Sequence, residues 1–351
     1  VSPTPMIMPV RVGILGATGA VGQRFIQLLD SHPTFELAAM TASEASAGKT
    51  YREAAKWRVD SPIPDDVATM TVEETTPSAV PDDVDLLFSS LPSGVAAEVE
   101  PAFLEAGYVV SSNSSNDRMA ADVPLTIPEI NPGHLDLIEV QRDARGWDGA
   151  LVKNPNCSTI TMVPTLAALD EFGLESVQVS TLQAVSGAGY SGVTSMEIID
   201  NAIPHIGGEE AKMESESRKL LGEFDGTGVE LHGMDVAASC NRIPTLDGHL
   251  ENVFAATAED PSPDEAAAAM REYSGVDLPS SPARLIHVFE DVERPQPRMD
   301  RGRGGGMQIS AGGLQETADG LKYNCLAHNT IRGAAGASLL NGELLVEEGW
   351  V

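Results

Sequence analysis

Positive charge is scarce in this chain. Lys and Arg together number 22 against 52 Asp and Glu, a formal net charge of −30. The lysines are Lys49, Lys56, Lys153, Lys212, Lys219 and Lys322. So negative a surface repels phosphate backbones and anionic lipid, which argues against nucleic-acid and membrane partners. The acids are spread along the chain and not gathered in a tail, so a disordered acidic arm is excluded. Salt would screen this self-repulsion, and the reading is a halophile-type protein, with an ordinary acidic protein as the alternative. Cysteine is equally sparse. The 3 cysteines, Cys157, Cys240 and Cys325, are too few and too scattered for a disulfide framework, and no spacing suits zinc. The opening VSPTPMIMPVRV lacks a basic segment followed by a long apolar run, and no apolar stretch approaches a membrane span. The expectation is a soluble, cytoplasmic protein without a metal.

What is present is ample core material. Hydrophobic residues make up 42% of 351, enough for two domains or one large α/β unit. VRVGIL (10–15) reads as a buried strand, and GATGAVG (16–22) as a glycine turn. QRFIQLLDSH then carries helical apolar spacing. FELAAM (35–40), DVDLLFSS (83–90) and YVVSSN (108–113) read as further strands, with a helix over 95–107 closed by Gly107. Strands alternating with helices imply a parallel sheet covered on both faces. After NPNCS comes a helical run in which Pro164 predicts a kink. SVQVSTLQ, LHGMDVAASCNRIP, GHLENVFAATAED and RLIHVFED read as strands of a second, more antiparallel sheet. Ser262, Pro263 and Glu265 form a helix-start signature. DRGRGGGM (300–307) reads as a flexible connector or loop, and NTIRGAAGASLLNGELL as a helix whose small residues allow close packing.

Gly13, Gly16 and Gly19, with Gly22 beyond, stand between a strand and a helix. There a backbone can approach a pyrophosphate that then meets the helix N-terminus. The alternative is a tight turn without a ligand. Thr41, Ser43, Ser46 and Lys49 at the end of the second strand suit a ribose 2′-phosphate better than a diol, although Glu44 weighs the other way. The favoured cofactor is NADP. Cys157 follows Asn156, a good helix cap. Unsatisfied amides at that position favour a thiolate, while the bland reading is an inert buried cysteine.

The ordered set GATGAVG, ASEASAGKTY, SSLPSG, SSNSSNDRM, NPNCSTI, the Gln183 loop, the Glu209–Lys212 pair, RIPTLDGH, RPQPRMDR and HNTIRGAAG resembles aspartate-semialdehyde dehydrogenases of the archaeal and fungal branch over nearly the whole chain. The resemblance implies a Rossmann-type dinucleotide-binding domain plus an α+β catalytic and dimerisation domain, assembled as a homodimer or homotetramer. It implies a nucleophile at Cys157 and a catalytic histidine at His249. Arg242 would take the substrate carboxylate and Glu209 its ammonium group. Arg118 and Lys212 would hold phosphate, and Gln183 and Asn156 would line the site. It also implies cofactor contacts at Gly16, Ala17, Thr18, Gly19, Ala20 and Val21, at Thr41, Ser43, Ser46 and Lys49, and at Ser90, Leu91 and Pro92. Ser186, Gly187, Asn329 and Thr330 complete that set. His328 is a further candidate for touching the nicotinamide. Cys240 and Cys325 are expected to be structural, and RPQPRMDR to be a fixed loop or interface.

These residue types suit the implied reaction. Its substrate would be L-aspartyl 4-phosphate and its product, after phosphate leaves, L-aspartate 4-semialdehyde, a step feeding lysine, methionine and threonine synthesis. A cysteine attacks as thiolate and gives a thioester, which splits one hard step into two easier ones. Histidine, with its ordinary pKa near neutrality, suits acid–base work. Oxyanion donors are expected from the start of the Cys157 helix with Asn156. An arginine fork matches a carboxylate, and Arg118, Arg242 and Arg332 are the arginines weighed for an anionic substrate. The alternatives are an N-acetyl-glutamyl-phosphate reductase, a malonyl-CoA reductase, and a cofactor-binding protein without catalysis. The NADP domain is expected over 1–156 with 325–351, and the catalytic and dimerisation domain over 157–324.

Overall fold

In the computed structural model, which describes residues 9–351, the first part of the chain winds a six-stranded, all-parallel sheet. Its strands are β1 (Val10–Leu15), β2 (Phe35–Ala42), β3 (Glu73–Glu74), β4 (Leu86–Ser89), β5 (Val109–Ser112) and β6 (Ala150–Lys153), in spatial order β3-β2-β1-β4-β5-β6. The order reverses between β1 and β4, and the carboxyl ends of those strands form the crevice where ligands bind in such sheets. Helices α1 (Ala20–Leu29), α2 (Ser93–Glu105) and α3 (Leu137–Arg145) connect the strands. The sheet is dry on both faces: Val12, Ile14, Leu86 and Phe88 are buried on one and Leu15, Leu87, Val110 and Leu151 on the other, and this is why the strands read as apolar runs. The strand expected over 83–90 is shorter, Leu86–Ser89, because Val84 lies in the turn before it, where its amide bonds Pro81 O.

Helix α4 (Cys157–Leu169) leads into a second six-stranded sheet. That sheet holds β7 (Leu174–Gln183), and after helix α5 (Glu209–Leu220) and a two-strand ribbon, β8 (Glu223–Phe224) and β9 (Val229–Glu230), it continues with β10 (Asp235–Arg242) and β11 (His249–Thr257). Helix α6 (Pro263–Glu272), with the Ser262–Glu265 capping box in place, precedes β12 (Ile286–Val288), β13 (Ile309–Thr317) and β14 (Gly320–Ala327). The order is β10-β7-β11-β14-β13-β12. β7 and β10 run parallel, as do β12 and β13, and the remaining pairs are antiparallel, so the sheet is mixed.

Pro164 lies inside helix α4, whose helical run continues past it. Three expectations need correcting. Strand β14 continues to Ala327, so the boundary placed at 325 cuts a strand of the second sheet. The 300–307 stretch is a built turn: Gly304, Gly305 and Gly306 have φ of 55°, 66° and 88°, which glycine adopts without strain, and Gly306 packs on Ile331. The final helix is two pieces, a π-helical turn Ile331–Ala335 and then α7 (Gly336–Glu347). That wide turn seats Gly333 where an added Cβ would lie 2.7 Å from Cys157 Cβ. Helix α7 then returns to the first sheet, where Ser111 Oγ donates to Ser338 O and Leu339 and Leu345 enter the core.

Arg332, inside the π turn, is fully buried and grips Glu129 through two parallel bonds of 2.7 and 3.0 Å. Arg332 is therefore taken by a protein carboxylate and does not face a substrate. Breaking such a pair leaves a lone buried charge. Arg332→Met is expected to cost about 3–5 kcal/mol in urea unfolding at fixed protomer concentration, with partial recovery in Arg332→Met/Glu129→Gln. A loss below about 1 kcal/mol, the value of an exposed pair, would show that water reaches Glu129.

Candidate active site

Three neighbouring strands bring distant sequence together. Arg242 pairs with Gln183 across β10 and β7. His249 opens β11 beside Leu250, which pairs with Leu182. The peptide group of Ala184, just past β7, then fixes both functional side chains. Its N–H donates to His249 Nδ1 at 3.1 Å, and its carbonyl accepts from Arg242 Nη1 at 2.7 Å. Gly187 comes close behind: a Cβ there would sit 2.8 Å from Arg242 Nη1 and 3.3 Å from His249 Cε1.

Helix α4 aims its first residue at this row. Asn156 caps it, with Oδ1 accepting from Ser158 N at 2.9 Å and Thr159 N at 3.2 Å. Cys157 Sγ lies 3.1 Å from His249 Nε2. A backbone N–H can only donate, so Nδ1 of His249 is the unprotonated nitrogen and the neutral ring carries its hydrogen on Nε2. The contact is then N–H to sulfur. Burial, with Arg242 and His328 nearby, holds His249 down to about 3. Burial, reinforced by Glu209 and opposed by Arg242 and Arg118, pushes the Cys157 thiol up to about 12. These surroundings favour the thiol of Cys157 over its thiolate, and His249 is arranged to donate from Nε2.

Helix α5 supplies the other wall. Glu209, Lys212, Glu216 and Lys219 recur at helical spacing and share one face. Glu209 accepts from Lys212 Nζ at 2.8 Å through one oxygen and from Asn156 Nδ2 at 2.8 Å through the other. Burial raises its carboxyl, but these two donors bring it below the usual value. Glu210 points away and bonds Cys240 N, so the register with Glu209 in the site is the one observed. Glu216 accepts from Arg118 Nη1 at 2.9 Å and Asn156 N at 2.6 Å. Arg118 also donates to Asn113 O at 2.7 Å, and its buried Nε has no partner.

Arg118, Asn156, Cys157, Gln183, Glu209, Lys212 and Arg242 line one cavity of about 260 Å³, together with Ala20, Val21, Ser186, Gly187, Asn329 and Thr330. Asn329 ties its wall together, donating to Ser186 Oγ and accepting from Gly248 N, both at 2.8 Å. Thr18 lines an adjoining cleft with Ala20, Ser186 and Thr330. Thr41, Ser43, Ser46 and Lys49 stand apart from this cavity, at the end of β2 and in the turn after it. The Thr41 carbonyl accepts from Gly16 N and Ala17 N, and its buried hydroxyl has no partner. Lys49 Nζ reaches Ala45 O. Ser90 donates to Leu15 O and Gly16 O, so it braces the turn. Leu91 is buried and Pro92 caps α2. Cys240 lies in the core against Met213, and Cys325 against Glu251. His328 is buried and held down to about 4 by burial, which Asp247 and Asp60 oppose and Arg24 and Arg301 reinforce. Sequence reading missed the Ala184 peptide, Glu216, Lys219 and Gly333. The i, i+7 and i, i+10 spacing from Glu209 was the available signal for the two charged ones.

The glycine turn fits a dinucleotide. Gly16 has φ 84°, and α1 begins at Gly19 with no side chain covering its first amides. Those amides stand at the carboxyl end of β1, beside the point where the strand order reverses, in the manner expected for a phosphate site.

The family pattern described as "Semialdehyde dehydrogenase, NAD binding domain" matches residues 11–138, and "Semialdehyde dehydrogenase, dimerisation domain" matches 166–332. The chain is 52% identical over 342 residues to an aspartate-semialdehyde dehydrogenase of Archaeoglobus fulgidus, covering 97% of this chain and 99% of that one. It is 53% identical over 346 residues to one from Methanothermobacter thermautotrophicus, covering 96% and 99%. Its structure resembles that of the Candida albicans enzyme solved with NADP, with a TM-score of 0.89, 40% identity and coverage of 98% and 100%.

Labelling of Cys157 by iodoacetamide in the ligand-free protein is expected to rise roughly tenfold per pH unit from about pH 6 to about pH 9, since only the thiolate reacts. No step near His249's ordinary titration should appear. A plateau below neutrality, read by mass spectrometry, would show a resting thiolate.

Proposed function

The chain belongs to the aspartate-semialdehyde dehydrogenase family, whose members are phosphorylating aldehyde dehydrogenases, and we propose that it performs the reductive dephosphorylation of L-aspartyl 4-phosphate through a thioester on Cys157. The observation that carries this reading is one cavity in which cysteine, two arginines, a lysine and a carboxylate converge, with His249 buried behind the cysteine at 3.1 Å.

The charges divide by partner. Arg242, braced on the Ala184 carbonyl, faces the substrate α-carboxylate. Glu209 and Lys212 form an ion pair at 2.8 Å. Substrate replaces that pair, its ammonium taking Glu209 and its phosphate taking Lys212 and the free donors of Arg118. Glu209 favours a free amino group over an N-acylated one, since an amide offers it no cation.

Cys157 sulfur bonds the acyl carbon, the bond from that carbon to the phosphate oxygen breaks, and the thiol proton ends on the departing phosphate. The cap consumes the Ser158 and Thr159 amides, so they are not oxyanion donors. The Cys157 amide and the Nε2–H of His249 fill that role. A neutral histidine donor stabilises the tetrahedral oxygen without becoming charged, as its desolvated position requires. When bound, a reduced nicotinamide supplies the hydride that converts the thioester to the aldehyde. Gly16 to Val21 would hold its pyrophosphate. Thr41, Ser43, Ser46 and Lys49 would hold a 2′-phosphate, and NADP is the proposed cofactor. Ser186, Gly187, Asn329 and Thr330 would border the nicotinamide. The match to a dimerisation domain supports a homodimer or homotetramer.

NADP reduction with L-aspartate 4-semialdehyde and phosphate, in molar KCl, tests the reading. Cys157→Ala should abolish it. His249→Gln, which keeps an N–H near Nε2, should retain at least about tenfold more activity than His249→Ala. Equal loss in both would return His249 to a proton-transfer role. Turnover of N-acetyl-glutamate semialdehyde with phosphate, or malonate semialdehyde with CoA, in place of the proposed substrate would overturn the roles of Glu209 and Arg242. With a net charge of −30, activity and the unfolding midpoint should both rise as KCl is increased; insensitivity to salt would remove the halophile-type reading.

A further inference from the structure

We propose that Lys219 is a positioning residue of the phosphate site, acting through the turn that carries Arg118. Its ammonium group lies inside the protein, 3% exposed, and donates three bonds: to Arg118 O at 2.9 Å, Ala120 O at 2.8 Å and Val123 O at 2.7 Å. All three hydrogens of the ammonium are thereby used on one turn of backbone. That turn needs holding. Asp117, immediately before Arg118, has φ of 60°, a left-handed conformation disfavoured for a residue with a Cβ and maintained only where the surroundings impose it.

The same helix face reaches the Arg118 side chain as well. Glu216, 1% exposed and three residues before Lys219, holds one end of the guanidinium, and Asn113 O holds the other. Backbone and head group are thus clamped from α5 independently. Arg118, so held, still lines the cavity, and its buried Nε has no partner among the described residues. Lys219 itself lies outside the cavity lining, so it does not touch substrate. The charged and titratable groups around Lys219 are Asp122 and Glu216, which hold its charge, and the buried His134, together with the three carbonyls; burial opposes the two acids and brings its pKa down to about 8. As pH rises through that value the ammonium becomes an amine with two N–H donors, so one of its three bonds is lost and the clamp loosens.

This inference rests on reading Arg118 as a phosphate ligand, and the experiment separates the two. Phosphate and semialdehyde KM values, and protection of Cys157 from iodoacetamide by inorganic phosphate alone, are measured for wild type, Lys219→Met and Arg118→Ala. Lys219→Met should raise the phosphate KM and the protection midpoint about tenfold, with the semialdehyde KM within about twofold of wild type. In wild type the protection midpoint should climb as pH passes about 8, and in Lys219→Met it should be high and flat. If Arg118→Ala weakens phosphate but Lys219→Met lowers only the unfolding midpoint, Lys219 is a structural cation and the proposal falls. If phosphate fails to protect wild type, or Arg118→Ala leaves phosphate untouched, the reading of Arg118 fails and takes the proposal with it. Should Lys219→Met not fold, the wild-type pH series decides: a flat midpoint through pH 9 overturns the proposal.

Discussion

Asn156 is the joint on which the rest of the site hangs. Its side-chain oxygen caps the helix that begins with Cys157, its side-chain amide is held by Glu209, and its backbone N–H is held by Glu216. The two carboxylates stand seven residues apart, two turns along α5, so one helix face grips one residue from two sides. The cap fixes where the helix starts, and the helix start fixes Cys157. Glu209 and Lys212, the groups proposed to bind ammonium and phosphate, lie on the same face of α5. In that reading substrate recognition and placement of Cys157 share one rigid element, as a site demanding sub-ångström placement requires.

The distribution of charge follows from the same economy. The chain is strongly acidic, yet Lys153, Lys219, Arg118, Arg242 and Arg332 are all buried. Each has oxygen partners in reach: Lys153 has Glu100, Ser112 and Ser114, Arg332 has Glu129, and Lys219 has three carbonyls. A cation removed from water must be met by such partners. The scarce positive charges thus act as internal clamps and as ligands for anions, while acids cover the outside. This gives physical content to the scarcity visible in the composition, although Arg332 shows its limit, because scarcity cannot tell a clamp from a ligand.

Much of the fold was legible in order. A buried strand, a glycine turn and a helix at 10–29 are what apolar runs and Gly16 produce, since a left-handed φ there admits little else. Ser262 and Glu265 formed their capping box because that interaction is local. The elements misjudged are those decided by distant contacts. The π turn at Ile331–Ala335 exists because Gly333 must pass Cys157 and Arg332 must reach Glu129. The glycines at 304–306 suggested flexibility, but packing of Gly306 on Ile331 makes them a defined turn.

The sequence by itself determined which residue types were available and in what order: a cysteine behind a capping asparagine, a lone histidine after a glycine, arginines rare enough to stand out, and a carboxylate–lysine pair at helical spacing. Motif order was sufficient for the family, because helix caps, glycine turns and strand patterns are written in neighbouring residues. Only the tertiary structure decided protonation and pairing. His249 carries its hydrogen on Nε2 because an amide 65 residues earlier in the chain occupies Nδ1. The Cys157 thiol is pushed up because the surrounding domain desolvates it. Both are sums over groups gathered from three strands and two helices, and such sums depend on distance in space, which no local stretch of sequence contains.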